Sequence, residues 1–179
     1  DTAKIELILG KSVTRIETER NVAMLEDGQQ IAYDYCLFAT GGQARQLPAY
    51  PYGSPSVHYI RTADDALRLR QAVRPDSRVA ILGGGFLGME LASTARALGA
   101  SVDVIETATA LLTRNAPAVF SQWLQERARH AGITLHLGTK IAASQRCEQA
   151  STLKLTLDNG HLLNVDHLIV AIGMNPNSE

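Results

Sequence analysis

Residues 78–106 read RVAILGGGFLGMELASTARALGASVDVIE. Val79, Ala80, Ile81 and Leu82 form a short unbroken apolar run, the pattern of a parallel strand covered on both faces. Gly83, Gly85 and Gly88 then fit G-x-G-x-x-G. A helical pattern follows at once. Leu87, Leu91, Ala95 and Leu98 fall on one face, and Gly99 stands where a helix C-terminal glycine belongs. Residues 101–105 read as a second strand that leads into Glu106. The stretch therefore predicts a β-α-β unit that binds a dinucleotide. Gly83 permits the tight turn out of the strand, Gly85 lets backbone approach a pyrophosphate, and Gly88 lets the helix pack close to the strand. First-turn N–H groups without intrahelical partners, together with the helix dipole, stabilise phosphate. Glu106, 18 residues beyond Gly88, is placed to accept from the adenosine ribose hydroxyls. The plainer alternative is a glycine-rich turn with no ligand. The strand before it, the helix after it and the acid closing the next strand all argue against that.

Working outward, residues 4–9, 13–18, 22–25, 31–33 and 35–40 read as strands, with a hairpin-type turn at Asp27-Gly28. The run 35–40, YCLFAT, reads as a buried strand, which would bury Cys36. Residues 43–55 carry Pro48, Pro51, Gly53 and Pro55 and read as a linker. Thr62 with Asp65 three residues on is an N-cap signature for a helix over 63–73. Beyond Glu106, Asn115 is expected to cap a helix with Pro117 near its first turn. Phe120, Trp123, Leu124 and Ala128 are expected on its buried face, with Gly132 closing it. Strands follow at 133–137, 141–146, 152–157 and 167–172.

Composition sets broad limits. The 179 residues are 45% hydrophobic and 20% charged, with a net charge of −1. Nothing basic enough for nucleic acid stands out, no basic amphipathic segment suggests a membrane surface, and no apolar run approaches the ~20 residues of a transmembrane helix. Cys36 and Cys147 form no C-x-x-C pair, and this usage points to the cytoplasm. The five histidines show neither metal spacing nor a paired nucleophile, so no metal site is expected.

One pattern occurs twice. Leu25, Gly28, Ile31, Asp34, Leu37, Ala39 and Gly41 reappear 132 residues later as Leu157, Gly160, Leu163, Asp166, Ile169, Ala171 and Gly173. Hairpins that end in buried strands can look alike by chance, but seven ungapped matches point to duplication. The second copy closes the sheet opened by the Gly83 unit. The first copy is expected to close a second nucleotide sheet whose glycine loop lies before Asp1.

These residues resemble the FAD-dependent pyridine nucleotide reductases built like glutathione reductase, in which an NAD(P)H domain is inserted into an FAD domain. Ala39-Thr40-Gly41 matches the family's ATG motif, residues 83–90 (GGGFLGME) match its NAD loop, and residues 171–177 (AIGMNPN) match its second inter-domain crossing. Within the family, residues 113–133 are similar to the ferredoxin reductase components of bacterial aromatic-ring dioxygenases. The resemblance implies an α/β fold: a Rossmann-like NAD-binding domain with a parallel sheet, helices and an antiparallel three-stranded crossover, flanked by part of a homologous FAD domain. It implies residues 1–48 as the end of a truncated first half of the FAD domain, 49–173 as the NAD(H) domain and 174–179 as the return crossing.

The resemblance also implies a function: electrons pass from NADH through FAD to a [2Fe–2S] ferredoxin and thence indirectly to a terminal dioxygenase. The implied NAD-site residues are Gly83, Gly84, Gly85, Phe86, Leu87, Gly88, Glu90, Glu106, Thr107, Arg114, Ile172 and Gly173. Glu90 is placed near the nicotinamide. Ala39, Thr40, Gly41 and Arg45 are placed at FAD. Plainer roles are open for several of them: a solvated helix-N-terminal acid for Glu90, a loop cation for Arg114, a strand-ending turn for Ile172 and Gly173. Competing functions are a disulfide reductase or NADH oxidase of the same superfamily, a stand-alone NAD module and a simple dehydrogenase. The fragment alone is expected to be inactive and to hold flavin poorly.

Overall fold

A computed structural model describes residues 4–147 and 151–178; the expected domain ends at Asp1 and Glu179 lie outside the described residues. The chain divides after Thr40 into two compact units.

In the first unit, β1 (Val13–Glu17), β2 (Val22–Leu25) and β3 (Gln30–Ala32) form an antiparallel sheet in chain order. Two expectations fail here. Residues 4–9 form no strand, and Ile5, Leu7 and Leu9 are exposed. Residues 35–40 form none either: Tyr35 is 96% and Leu37 89% exposed, and Cys36 is exposed rather than buried. An apolar run becomes a strand only when its N–H and C=O groups find a ladder, and none of the described strands pairs with either run.

The second unit is built on five parallel strands. In chain order its elements are β4 (Gly42–Ala44), β5 (Val57–His58), α1 (Ala63–Ala72), β6 (Arg78–Leu82), α2 (Phe86–Ala97), β7 (Ser101–Glu106), α3 (Ala118–His130), β8 (Ile133–Leu137), β9 (Ile141–Cys147), β10 (Thr152–Leu157), β11 (Leu162–Val165), β12 (His167–Val170) and β13 (Met174–Pro176). The parallel sheet runs β5-β12-β6-β7-β8. Val79, Ile81, Val102, Val104, Ile133 and Ile169 face a cluster completed by helical side chains such as Leu69, Met89, Ala92 and Ala128. Ala80, Leu82, Ile105, Leu168 and Val170 face the other way, onto Leu153, Leu155, Leu157 and Val165. Those residues come from the antiparallel sheet β11-β10-β9 and its exit. The run 79–82 is continuous because both faces of β6 are covered.

The helix ends follow local chemistry. The Thr62 side chain accepts from the Asp65 N–H (3.1 Å), and the Asp65 carboxylate accepts from the Thr62 N–H (2.8 Å), a reciprocal capping box. At the end of α2, Gly99 (φ +91°) donates to Arg96 and Ala100 donates back to Ala95, a Schellman ending. The buried faces differ from expectation. On α2 the seam is Gly88, Met89, Ala92 and Ala95, while Leu87 and Leu98 are about 40% exposed. On α3 it is Ser121 and Ala128, with Leu124 partly buried against the core; Phe120 and Trp123 face solvent as a tilted ring pair. Asn115 does not cap α3: Pro117 holds the N-cap position, without a side-chain bond. Nor is the stretch 43–55 only a linker, for it opens within β4 and buries Tyr50.

The turn of the duplicated pattern is reproduced bond for bond, although the strand that follows it in the second copy, β12, has no counterpart at residues 35–40. In the first copy Leu25 N–H donates to Gln29 O, Gly28 N–H to Leu25 O and Gln29 N–H to Asp27 Oδ1. In the second, Leu157 N–H donates to His161 O, Gly160 N–H to Leu157 O and His161 N–H to Asn159 Oδ1. Gly28 (φ +84°) and Gly160 (φ +86°) occupy the same left-handed turn position. Each copy belongs to a three-stranded antiparallel sheet.

Candidate functional site

The strand order places β7 on one side of β6 and β12 on the other. This is the topological switch beyond whose carboxyl ends open α/β sheets bind ligands. The glycine loop leaves β6 at that point. Gly83 has φ +108°, and a Cβ there would lie 2.4 Å from the Ala171 carbonyl oxygen, so β12 passes too close for any side chain. A Cβ on Gly88 would lie 1.9 Å from Gly83 O, which fixes the approach of α2 to the strand. Gly84 is crowded by Leu111 and Glu106, but a Cβ on Gly85 would meet nothing within 4 Å. Gly85 is also the N-cap of α2 and makes no side-chain capping bond. Open space therefore lies where first-turn N–H groups and the positive helix end face outward, a fit for a phosphate.

Glu106, at the end of β7, closes over this loop. Its Oε2 accepts from the Gly84 N–H (2.7 Å), and its Oε1 from the Ala108 N–H (2.8 Å) and the Thr107 hydroxyl (3.2 Å). A carboxylate has about four acceptor sites, so one on Oε2 remains for a hydroxyl beside the phosphate position. The arrangement fits a ligand that carries a diol next to a phosphate, as an adenosine ribose does.

Phe86 and Leu87 are exposed in the first turn of α2, and Glu90 is exposed further along it. Thr107 touches the Glu106 carboxylate. Arg114 is exposed and forms no ion pair among the described residues. Ile172 is half-buried, and Gly173 (φ +110°) follows it beyond β12. Of the residues assigned to FAD, Ala39 and Thr40 are exposed in the first unit. Gly41 and Arg45 flank β4 in the second.

There β4 pairs antiparallel with β13: Gly42 opposite Pro176, Gln43 opposite Asn175, Ala44 opposite Met174. Arg45 N–H donates to Gly173 O and Asn177 N–H to Gly41 O, both at 3.0 Å. The Arg61 Nε–H donates to Gly42 O at 2.6 Å. The Arg61 N–H donates in turn to the buried Asp65 carboxylate, which also accepts from Tyr52 and Arg68. Burial alone would raise the Asp65 pKa, but the Tyr52 hydroxyl and the Thr62 and Arg61 N–H groups outweigh it and hold the carboxyl well below the usual range.

Away from the loop, His58 Nε2 and His167 Nδ1 meet at 3.2 Å across β5 and β12, and His136 Nε2 bonds Asp103 at 2.8 Å. No group of three or more potential metal ligands converges among the described residues, and no described helix is long and apolar enough to cross a membrane. Sequence reasoning missed the Gly84–Glu106 bond and the support of Leu111 beneath Gly84; of the β4–β13 ribbon it reached the two segments, around 39–45 and 171–177, but not their pairing as strands. Only the ribbon left a trace, in the repeat that makes residues 41–45 the counterparts of 173–177.

Comparison with known proteins agrees with this fold. The family described as pyridine nucleotide-disulphide oxidoreductase matches residues 2–179. The ferredoxin–NAD(+) reductase component of the 3-phenylpropionate/cinnamic acid dioxygenase of Photorhabdus laumondii is 38% identical over 170 residues, covering 95% of this chain and 43% of that protein. Among solved structures, the ferredoxin reductase for the CYP199A2 system from Rhodopseudomonas palustris superposes with a TM-score of 0.77 at 34% identity, covering 97% of this chain and 42% of that one. The putidaredoxin reductase of the covalent putidaredoxin reductase–putidaredoxin complex gives 0.76 at 31% identity, covering 94% and 41%. The chain thus spans less than half the length of these relatives.

Proposed function

Because the chain belongs to the pyridine nucleotide-disulphide oxidoreductase family, we propose that it is the NADH-binding portion of a flavoprotein reductase. The whole protein would pass electrons from NADH through FAD to a [2Fe–2S] ferredoxin serving an aromatic-ring dioxygenase. The observation that carries the nucleotide assignment is the Glu106 carboxylate, fixed on the Gly84 N–H beside the open face of Gly85. The assignment to a ferredoxin reductase is supported by the likeness to a dioxygenase reductase component and to ferredoxin-coupled reductases of known structure.

Within this reading, the first turn of α2 and the glycine loop bind the pyrophosphate, Glu106 and Thr107 orient the adenosine ribose, and Ile172 and Gly173 border the nicotinamide end, with Glu90 near it. Arg45 and residues 39–41 would contact flavin. When bound, the nicotinamide and flavin supply hydride transfer and the release of single electrons; the chain's own residues supply placement and electrostatics. Residues 49–173 are read as the nucleotide domain, and residues 1–48 and 174–179 as parts of its host.

The test has two arms. The 179-residue chain is titrated with NADH, and the full-length reductase is assayed for NADH-dependent reduction of a [2Fe–2S] ferredoxin. Micromolar NADH binding with ferredoxin reduction supports the reading. A full-length enzyme that reduces a disulfide or dioxygen but no ferredoxin would replace it with another activity of the superfamily.

A further inference from the structure

The last paired residues of β7 and β8 are Glu106 and Leu137. Beyond that pair the chain does not diverge. The Gly138 N–H donates to Ala108 O at 2.8 Å, and the Thr139 N–H donates to Glu106 O at 3.0 Å. The two peptide groups at 138–139 therefore bracket the segment whose Ala108 N–H holds the Glu106 carboxylate. Thr139 is itself fixed. It is 5% exposed, its hydroxyl donates to Leu137 O (3.0 Å), and it lies within 3.5 Å of the Asn159 side-chain amide in the β10–β11 turn. Gly138 holds φ +62°, a conformation costly for a residue with a Cβ.

We propose that Gly138 and Thr139 are positioning residues for the ribose-binding acid. They set the affinity for the adenosine half of the dinucleotide while touching none of it. The physical reason is preorganisation. A carboxylate aimed by fixed donors need not be ordered when a diol arrives, so loosening the backbone beneath it transfers that ordering cost to binding. The inference rests on the reading of residues 83–106 as a nucleotide site.

ADP-ribose is the probe, because it carries the adenosine ribose and pyrophosphate without the nicotinamide. Its binding to the 179-residue chain is measured by calorimetry for wild type, Gly138→Ala, Thr139→Val, Thr139→Ser and Gly99→Ala. Gly138→Ala and Thr139→Val should weaken binding about threefold to tenfold, the size of one lost hydrogen bond. Thr139→Ser, which keeps the hydroxyl, should bind as wild type does. Gly99→Ala controls for general destabilisation: Gly99 also has a left-handed φ (+91°), but it lies at the opposite end of α2. It should lower the thermal midpoint without changing affinity. In the full-length enzyme, Gly138→Ala should raise the KM for NADH and leave kcat unchanged. Wild-type affinity in both Gly138→Ala and Thr139→Val, or an equal loss in Gly99→Ala, overturns the proposal while the nucleotide reading stands. Absence of ADP-ribose binding by wild type overturns both.

Discussion

Gln43 and Asn175 stand opposite each other at the centre of the two-stranded ribbon, 132 residues apart, and 132 is the interval of the internal repeat. The reciprocal bonds Arg45 to Gly173 and Asn177 to Gly41 obey the same relation. The two segments therefore occupy equivalent positions at the repeat interval, paired about a local two-fold through Gln43 and Asn175.

Gly42 is where this ribbon leaves least room. A Cβ there would lie 2.5 Å from Asn175 O and 2.6 Å from Met174 Sδ. Gly42→Ala should destabilise the chain by about 1–3 kcal/mol, as overpacking does, whereas the exposed Gln43→Ala should stay within about 0.5 kcal/mol of wild type. Urea midpoints at constant m-value provide the measurement.

The loop glycines should separate by function. Gly85→Ala places a methyl in open space at φ −76°, so stability should change little, while NADH affinity falls at least about tenfold because the methyl stands in the phosphate's approach. Gly88→Ala drives a methyl to 1.9 Å from Gly83 O and should unfold or grossly destabilise the unit. Paired melting curves and titrations distinguish the two; similar behaviour of the variants would refute the assignment.

NADH should bind more tightly than NADPH. A 2′-phosphate would meet the Glu106 carboxylate, and residues 107–113 (TATALLT) offer no cation. A lost charged hydrogen bond is worth ~1.5–3 kcal/mol, or about tenfold to a hundredfold. Glu106→Ala should reduce or abolish the preference, as read by titration of both nucleotides. If Arg114 turns inward to the ribose, Arg114→Ala should weaken NADPH selectively.

Stability should decline in acid through the pair His58–His167. Burial, then the neighbouring His167, pushes the His58 imidazole down to about 4. Burial also lowers His167, although Asp166, itself held by Arg78, pulls the other way. Between about pH 6.5 and pH 4 the unfolded chain binds more protons than the folded one, so this stability is present above pH 6.5 and lost as pH falls through the window. A loss of about 1–2 kcal/mol is expected after allowing for solvent screening of partly exposed rings. His58→Gln should flatten the unfolding free energy against pH over that interval.

The 179-residue chain should purify without stoichiometric flavin. Its sequence contains one G-x-G-x-x-G, and that loop is assigned here to NADH. A flavin absorbance near one equivalent after gel filtration would show that residues 39–45 grip FAD on their own.

The sequence by itself determined what short-range chemistry controls. The Gly83, Gly85 and Gly88 spacing, the acid at 106, the Thr62–Asp65 cap and the left-handed glycines at 28, 99 and 160 each act within a few residues or one β-α-β unit. All were legible without coordinates. The repeat, too, was a pattern in the chain. Tertiary structure alone decided which surfaces were covered. The expected apolar stripe of α2 is only partly covered, with Leu87 and Leu98 about 40% exposed, because the helix lies closest to the sheet along Gly88, Ala92 and Ala95, where small side chains permit the approach. Trp123 points outward for a related reason: Ser121 bonds Leu111 O and turns the other side of α3 inward. Residues 4–9 and 35–40 have strand-like composition but no strand, since a strand is a property of two edges and a sequence describes only one of them. The Glu106–Gly84 bond and the β4–β13 ribbon join residues 22 and 132 apart. Such contacts depend on where the whole sheet places its strand ends, which no local pattern encodes.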